Sequence, residues 1–260
     1  MNIVVCVKQT FDTEAKIALT SDGKIDSTGV NLIMNPYDEF AVEEALRIKE
    51  KVGGEVTLVS LGSKQTVDTI RQGLAMGADK AVLINDPAME GADSHGVAAA
   101  LAAAIKQLNP DLILCGWVAI DDGASQVAGR VAEILDLPWV NVVTKIEIAD
   151  NKVVAHREAE GQTEVIEVAL PAVITAQKGL NEPRYPSLKG IMQAKKKELK
   201  ELTLADIGLD AASVGAQASQ VKILSYSLPE ARKAGKKLEG DPADTAKELV
   251  RLLREEAKVI

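Results

Sequence analysis

Aromatic residues are scarce in this sequence: phenylalanine, tryptophan and tyrosine together make up 3% of its 260 residues. Proteins that stack nucleic-acid bases, or that enclose a large ring cofactor unaided, usually contain more of them. The net charge of −8 points the same way, because an acidic surface repels the phosphates of nucleic acid. We therefore expect no nucleic-acid partner.

Cysteine and histidine are equally scarce, with two residues of each. Cys6 and Cys115 lie within apolar runs, which is typical of reduced core residues in a cytosolic protein. His95 and His156 are too few for a multi-histidine metal site, and a histidine-dependent triad is poorly supported. The patterns G-x-G-x-x-G, G-x-x-x-x-G-K-[ST] and G-x-S-x-G are also absent. We expect no metal site and no catalytic residue.

Long hydrophobic runs are missing as well. The longest uncharged apolar stretch, VAAALAAAI at 97–105, has about half of the roughly 20 residues that a membrane span needs. Lys8 interrupts the apolar run at the N-terminus after a few residues, which argues against a secretory signal. The sequence thus predicts a protein without direct membrane insertion, located in the cytoplasm, or in the mitochondrial matrix if the source is eukaryotic.

What the sequence does contain is an alternation of short apolar runs with helical patterns. Nearly continuous apolar strands of this kind are typical of a parallel sheet covered by helices on both faces. The predicted strands are 2–8, 55–62, 80–85 and 111–116, and the predicted helices are 35–54, 64–79, 94–109 and 123–136. Three later segments predict an antiparallel meander, 142–149, 152–159 and 163–170, before 171–176 returns to the main sheet.

The last part of the chain has a weaker pattern. We predict a nucleotide-binding α/β domain over 1–202 and a C-terminal arm over 203–260. Within the arm, 221–228 is predicted as a short strand and 241–260 as an amphipathic helix. An arm of this kind has little to pack on within its own domain, so we expect it to pack on a second polypeptide.

The segment CGWVAIDDGASQVAGRVAE (115–133) follows a predicted strand and opens a helix, where open parallel sheets bind ligands. Gly116 permits close backbone approach, and Gly123 to Gln126 bring small side chains to a helix N-terminus, which suits phosphate. Asp121 and Asp122 fit ribose hydroxyls or a cap better than phosphate. On these grounds alone, a nucleotide site and an ordinary capped turn are equally good interpretations. The same two interpretations hold for the helix start in MNPYDEFAVEEAL (34–46).

A rigid basic element lies at 179–202, GLNEPRYPSLKGIMQAKKKELKEL. Pro183 and Pro186 restrict its backbone. Its lysine triplet, Lys195–Lys197, fits either a solvated helix face or a charged rim that aids encounter with a partner.

Several of these motifs, in order, resemble the β subunits of electron transfer flavoproteins. The segments that carry the resemblance are VCVKQTFDTEAKI (5–17), MNPYDEFAVEEALRIKE (34–50), RQGLAMGADKAVLI (71–84), GWVAIDDGASQVAG (116–129) and LPAVITAQKGLNEPRYPSLKGIMQAKKK (170–197). The resemblance implies an adenine-nucleotide α-hydrolase-like (Rossmann-like) fold with an antiparallel β-meander insertion. It also implies a heterodimer with an α subunit, an FAD shared with that subunit, and AMP in a β-subunit pocket. In electron-bifurcating relatives the same pocket holds a second FAD that oxidises NADH.

The resemblance further implies roles for individual residues. The nucleotide pocket would be formed by Cys6, Asn35, Pro36, Tyr37, Asp38, Leu61, Gly116, Trp117, Val118, Ala119, Ile120, Asp121, Asp122, Gly123, Ala124, Ser125, Gln126 and Val127. A recognition loop within 179–197 would dock a dehydrogenase, with Leu180 as its apolar anchor. The residues that shape this loop would be Asn181, Glu182, Pro183, Arg184 and Tyr185.

The expected role is that of an electron carrier subunit rather than a stand-alone enzyme. It would relay electrons from dehydrogenases, such as the acyl-CoA dehydrogenases of fatty acid oxidation, through FAD to an acceptor such as a membrane quinone oxidoreductase. One alternative is the β subunit of an electron-bifurcating flavoprotein. The segment GASQVAG (123–129) resembles those relatives more closely, whereas LNEPRYPSL (180–188) resembles the ordinary carriers more closely. A further alternative is a stand-alone nucleotide-binding stress or signalling module, which would need no α partner.

Overall fold

The computed structural model describes residues 1–149, 151–231 and 234–260. Its strands are β1 (Asn2–Cys6), β2 (Gln9–Phe11), β3 (Leu32–Met34), β4 (Glu55–Leu61), β5 (Lys80–Ile84), β6 (Leu112–Gly116), β7 (Trp139–Ala149), β8 (Lys152–Ala159), β9 (Gln162–Ala169), β10 (Ala172–Ala176) and β11 (Leu199–Leu202). Its α-helices are α1 (Pro36–Val52), α2 (Thr66–Met76), α3 (Ser94–Leu108), α4 (Val127–Leu135), α5 (Leu188–Ala194), α6 (Ala211–Val214) and α7 (Pro242–Glu255). Short 3-10 turns cover Pro87–Met89, Ala205–Ile207 and Ala216–Ala218.

A nine-stranded sheet organises the fold, with strand order β11-β5-β4-β1-β6-β10-β7-β8-β9. Neighbouring strands from β11 to β7 pair in parallel, and β7, β8 and β9 pair antiparallel. The predicted α/β class with a mostly parallel sheet is confirmed, and so are the meander and the return of the chain to the sheet at β10.

Both faces of the sheet are covered by helices, and alternation along the strands explains why. Ile3 and Val5 of β1 face the apolar cluster that contains residues of α1 and α2. Val4, between them, faces the cluster that contains residues of α3 and α4. Successive side chains of a strand point to opposite faces, so a continuous apolar run becomes buried on both sides.

Three short strands were not predicted, and one predicted strand is wrong. The chain forms a small antiparallel pair from β2 and β3, and β11 extends the main sheet by pairing parallel with β5. The predicted strand at 221–228 has no strand structure. Its apolar side chains, including Leu224 at 86% exposed, lie in solvent. Alternating apolar residues form a strand only where another strand supplies hydrogen bonds. Segment 221–228 has no such partner strand among the described residues.

The described chain divides into two compact units. The first comprises 1–16 and 27–224, and it includes Leu204, Ile207 and Val214, which are buried. The first part of the predicted arm therefore packs within the first unit, mainly against helix α3.

The second unit comprises 17–26 and 225–260. Its helix α7 begins as predicted, with Pro242 in the first turn and the Asp241 carboxylate accepting a hydrogen bond from the Ala243 N–H. Within the described residues, no helix has the length and apolar character needed to cross a membrane.

Candidate functional site

The crevice predicted for a ligand lies where the chain changes direction in the sheet. Strand β1 has β4 on one side and β6 on the other. Helix α1 leads from β1 towards β4, whereas β6 lies on the opposite side. Open α/β sheets bind ligands outside the carboxyl ends of strands at such a switch point. The strand ends at Cys6 and Gly116 and the start of α1 meet here.

Asn35 holds the loop after β6 against the start of α1. Its side-chain amide donates to the Val118 carbonyl at 2.9 Å and accepts from the Ile120 N–H at 3.2 Å. Although its position at the helix start suggested an N-cap, Asn35 makes no side-chain cap hydrogen bond. The amide instead bonds to the loop and to Asp38, and Asn35 is 1% exposed. Two segments that were separate candidates in the sequence thus form one structure.

Asp38 lies beneath this junction and is 5% exposed. Its carboxylate accepts hydrogen bonds from the backbone N–H of Lys8 at 2.7 Å, the Asn35 amide at 2.9 Å and the backbone N–H of Gly116 at 3.1 Å. Burial raises the pKa of Asp38 from 3.8 to about 7, and these hydrogen bonds only partly oppose the rise. A Cβ at Gly116 would overlap the Asp38 carboxylate and Tyr37, so only glycine fits there.

Lys8 is a crevice residue that the sequence analysis missed. Its ammonium group lies 2.7 Å from Asp121 Oδ1 and 3.1 Å from Asp122 Oδ2. Burial lowers the pKa of Lys8, but the hydrogen bonds and charges of the two aspartates outweigh burial and raise it. The sequence places a lysine after β1 and two aspartates after β6, at the same edge of a parallel sheet. That β1 and β6 are neighbouring strands, which lets these side chains meet, is shown only by the fold.

The predicted helix start at Gly123 is wrong by four residues, because α4 begins at Val127. The left-handed backbone of Gly123 (φ +62°) and Ser125 (φ +52°) cannot continue into a helix. Residues 123–126 therefore form an exposed loop ahead of α4. Gln126 makes no side-chain cap hydrogen bond, and a Cβ on Gly123 would have nothing within 4 Å. This leaves open space before an uncapped helix N-terminus.

The aromatic residues of the crevice are few and contact one another. The rings of Tyr37 and Trp117 pack edge to face with centroids 5.6 Å apart, and Tyr37 lies 6.5 Å from Phe40. The Trp117 indole N–H is buried and has no hydrogen-bond partner among the described residues. The Ser125 hydroxyl fixes the same stretch by donating to the Trp117 carbonyl at 2.6 Å.

Two further predicted pocket residues, Cys6 and Leu61, occupy the ends of strands β1 and β4. Cys6 is half-buried at the end of β1, on the same face of the sheet as the buried Cys115 of β6. The hydrogen bond with the neighbouring Cys6 thiol, together with burial, holds the pKa of Cys115 above its usual range. Leu61 is half-buried at the end of β4, with its side chain against the core.

The predicted recognition loop is anchored on α1. The Asn181 amide donates to the Phe40 carbonyl at 3.0 Å and to Glu44 at 2.9 Å. Burial raises the pKa of Glu44, and the Asn181 hydrogen bond only partly opposes this. Leu180, expected as the apolar anchor of this loop, is half-buried and packs against the core.

Arg184 fastens the same loop through two carboxylates of α1. Its guanidinium donates to Glu43 at 2.8 Å and to Glu50 at 2.5 Å. Arg47 adds a hydrogen bond to Glu43 at 2.7 Å, and its guanidinium also donates to the Glu182 carbonyl at 3.3 Å. The Glu43 side chain is 3% exposed. Burial opposes a low pKa there, yet the arginine hydrogen bonds hold the pKa of Glu43 below 4.5.

An exposed apolar surface follows Arg184 along the chain. Tyr185 is 95% exposed, Leu188 is 83% exposed and Met192 is 72% exposed. The lysine triplet does not form a single helix face, because α5 ends at Ala194. Lys197 turns inward, and its ammonium donates to the Leu74 and Ala78 carbonyls at the end of α2.

Comparison with known proteins identifies the family. Residues 22–207 match the model of the electron transfer flavoprotein domain. The whole chain is 52% identical to the electron transfer flavoprotein subunit beta of Syntrophomonas wolfei, covering 98% of that protein. It is 49% identical to the subunit of the same name from Bacillus subtilis, with both chains covered in full. It is also 40% identical to the caffeyl-CoA reductase-Etf complex subunit CarD of Acetobacterium woodii, with 98% of each chain covered. The chain therefore belongs to the electron transfer flavoprotein subunit beta family.

Proposed function

We propose that this protein is the β subunit of a heterodimeric electron transfer flavoprotein. With an α subunit it would relay electrons from dehydrogenases, such as acyl-CoA dehydrogenases, to an acceptor such as a membrane quinone oxidoreductase. The observation that carries the proposal is similarity along the entire chain to subunits of that name. An FAD shared with the α subunit would supply the electron-carrying chemistry. The residues of this chain would bind a nucleotide and present a docking loop.

The nucleotide that best fits the crevice is AMP. Gly123 leaves open space before α4, and the uncapped N–H groups of that helix favour a phosphate. Tyr37, Phe40 and Trp117 are few and already pack on one another, which is thin cover for an isoalloxazine ring. We propose one AMP in this chain and one FAD per heterodimer. Asp121 and Asp122 would not repel the phosphate strongly, because Lys8 neutralises part of their charge.

A carboxylate at position 123 is expected to expel AMP. We expect Gly123→Asp in the purified heterodimer to weaken AMP binding on the order of 100-fold, since a charge about 4 Å from a phosphate costs several kcal/mol near a protein surface. The matched control is Gly123→Asn, which has the same size and tolerates a positive φ equally well. FAD content should stay unchanged in both variants. AMP released by denaturation is measured by chromatography.

Equal AMP content in the two variants would show that position 123 does not face the phosphate.

The electron-bifurcating alternative is tested by the nucleotide and flavin content of the unmodified heterodimer, because a relative named for a caffeyl-CoA reductase-Etf complex is 40% identical. Two flavins in each unmodified heterodimer, one of them reduced rapidly by NADH, would replace AMP with a second FAD in the crevice.

We propose that the dehydrogenase docks on the surface formed by the loop 179–187 and helix α5. Arg184 and Asn181 hold the loop on α1, so little conformational entropy is lost when a partner binds. The most exposed apolar side chains of this surface are Tyr185 and Leu188, and they can bury apolar area in a small interface. A small, stiff interface of this kind supports binding that is specific and brief.

Truncation of the exposed ring is expected to slow electron transfer without loosening the fold. Tyr185→Ala should raise the KM for the dehydrogenase–flavoprotein pair a few tens-fold, because a lost apolar anchor costs about 2 kcal/mol. Leu180→Ala should have a similar effect and should also lower the melting temperature, because Leu180 packs against the core. Val165→Ala serves as the control, since Val165 is 60% exposed on the distant edge strand β9. Unchanged KM in both loop variants would exclude this surface as the docking site.

A further inference from the structure

The Asp38 carboxylate is committed to its own chain. It is 5% exposed, and it accepts hydrogen bonds from three N–H donors at 2.7, 2.9 and 3.1 Å. A carboxylate so placed has most of its acceptor capacity occupied and little surface for a ligand, although its position at the start of α1 made it a candidate for direct contact. The role of Asp38 therefore depends on the parts of the structure to which these three donors belong.

The three donors belong to three separate parts of the crevice. The backbone N–H of Lys8 follows β1, the Asn35 amide precedes α1, and the backbone N–H of Gly116 ends β6. Through Asn35, the same group reaches the Val118 carbonyl and the Ile120 N–H of the loop after β6. A single buried carboxylate therefore sets the distances between the walls that would receive the nucleotide.

We propose that Asp38 is a positioning residue for the nucleotide pocket, acting as a carboxylate that joins the ends of β1 and β6 to the start of α1. This inference rests on the proposed function, since it presumes that the crevice binds a nucleotide. Hydrogen bonds to an ionised acceptor are about twice as strong as neutral ones. The pocket is therefore held most firmly when Asp38 is charged.

The protonation state of Asp38 changes within the physiological range. Its pKa is raised to about 7 by burial, so the carboxyl takes up a proton as pH falls from 8 to 6. The new O–H then has to share the site with three N–H donors, which weakens the junction. Lys8 and Cys115 also face Asp38, and the pKa of each is raised, so between pH 6 and 8 the Lys8 ammonium stays charged and the Cys115 thiol stays neutral. Cys6 adjoins Cys115, and Asp121 and Asp122 are ion-paired with Lys8.

The test is the affinity of the heterodimer, freed of bound nucleotide, for AMP between pH 6 and 8. The unmodified protein should bind AMP more weakly as pH falls, by up to the tenfold per pH unit that one proton allows. Asp38→Asn should bind AMP at least tenfold more weakly at pH 8, because its amide group would face an N–H donor. The AMP phosphate itself titrates near pH 6, but it does so with both proteins. The difference between the two profiles therefore belongs to Asp38.

Two further variants keep the test decisive. Glu39→Gln is the matched control, because Glu39 neighbours Asp38 on α1 but bonds to Gln72, and its profile should follow the unmodified protein. Lys8→Gln keeps the backbone donor and removes a positive charge that lowers the Asp38 pKa, so the midpoint of the profile should move to higher pH. The Lys8→Gln variant tests the inference even where Asp38→Asn fails to assemble. Unmodified affinity and profile in Asp38→Asn, or an unmoved midpoint in Lys8→Gln, would overturn the inference. Absence of AMP binding by the unmodified heterodimer, with FAD tested as a second probe, would overturn the proposed nucleotide site instead.

Discussion

Placing glutamates on the apolar face of helix α7 is expected to abolish assembly with the α subunit. Leu249 and Leu253 lie four residues apart and therefore on one face of the helix. Leu249 is 49% exposed, and no residue of α7 is buried. An amphipathic helix left uncovered in this way marks an interaction surface. We propose that the α subunit covers it, as the subunit nature of the family suggests.

The expected magnitude follows from two contributions. Burial of a leucine side chain contributes about 2 kcal/mol, and an unpaired carboxylate in an apolar interface costs at least as much again. The double variant Leu249→Glu, Leu253→Glu should therefore lose about 8 kcal/mol of association energy, nearly six orders of magnitude in Kd. Co-purification of tagged β chain with α chain measures this loss.

The control places the same new charge elsewhere on the helix. Lys247→Glu adds a carboxylate at a position that is exposed and adjoins Asp244, so complex formation should persist. A double variant that still recovers the α chain in full would show that α7 is not the assembly surface. Deletions should begin after residue 224, since Leu204, Ile207 and Val214 belong to the core of the first unit.

The order of elements could be predicted from the sequence because local patterns determine it. Continuous apolar runs separated by amphipathic segments gave the parallel sheet, and the turn residues gave the meander. The strand β11 was missed because LKEL has no apolar pattern, and it becomes a strand only through pairing with β5. The predicted strand at 221–228 failed for the opposite reason, since it has a suitable pattern and no strand beside it.

The location of the crevice could also be predicted, whereas its internal bonding could not. The strand–loop–helix motif places Gly116 and Asp121 at the edge of the sheet, but sequence spacing says nothing about which side chains meet across it. Lys8 meets Asp121, and Asp38 meets Gly116, over separations of more than 70 residues. Long-range pairs of this kind depend on the order of strands, which only the fold reveals.

The contacts that fasten the proposed docking loop to α1, which we call the loop clamp, also could not be predicted from the sequence. They are the hydrogen bonds from Arg184 to Glu43 and Glu50. The sequence gives no reason to connect Arg184 with Glu43, which lies 141 residues earlier. The structure makes this pair the main fastening of the proposed docking loop. Glu50, at 59% exposed, adds a solvent-screened contact that contributes little.

Removal of the Arg184 guanidinium is therefore expected to destabilise the protein and to release the loop. Arg184→Ala leaves Glu43 buried with Arg47 as its remaining partner. Loss of one partner from a fully buried pair costs several kcal/mol, but Arg184 is 35% exposed, and screening by water reduces the expected cost to about 2 kcal/mol. The melting temperature of the heterodimer should fall by about 5 °C, and electron transfer from the dehydrogenase should slow. Glu50→Gln should change neither by much.

The pH dependence separates this clamp from a general loss of packing. The folded-state pKa of Glu43 lies below 4.5, so its pairing stabilises the protein above about pH 4.5 and is lost as pH falls through that lower value. Arg184→Ala should bring the pKa of Glu43 back up, so the gap in melting temperature between variant and unmodified protein should be full at pH 7 and narrower at a pH below the folded-state pKa of Glu43. Arg184→Lys should recover only part of the loss, because an ammonium group lacks the fork that contacts Glu43 and Glu50 together. A gap of equal size at both pH values would mean that Arg184 stabilises the loop through packing of its alkyl stem rather than through the Glu43 carboxylate.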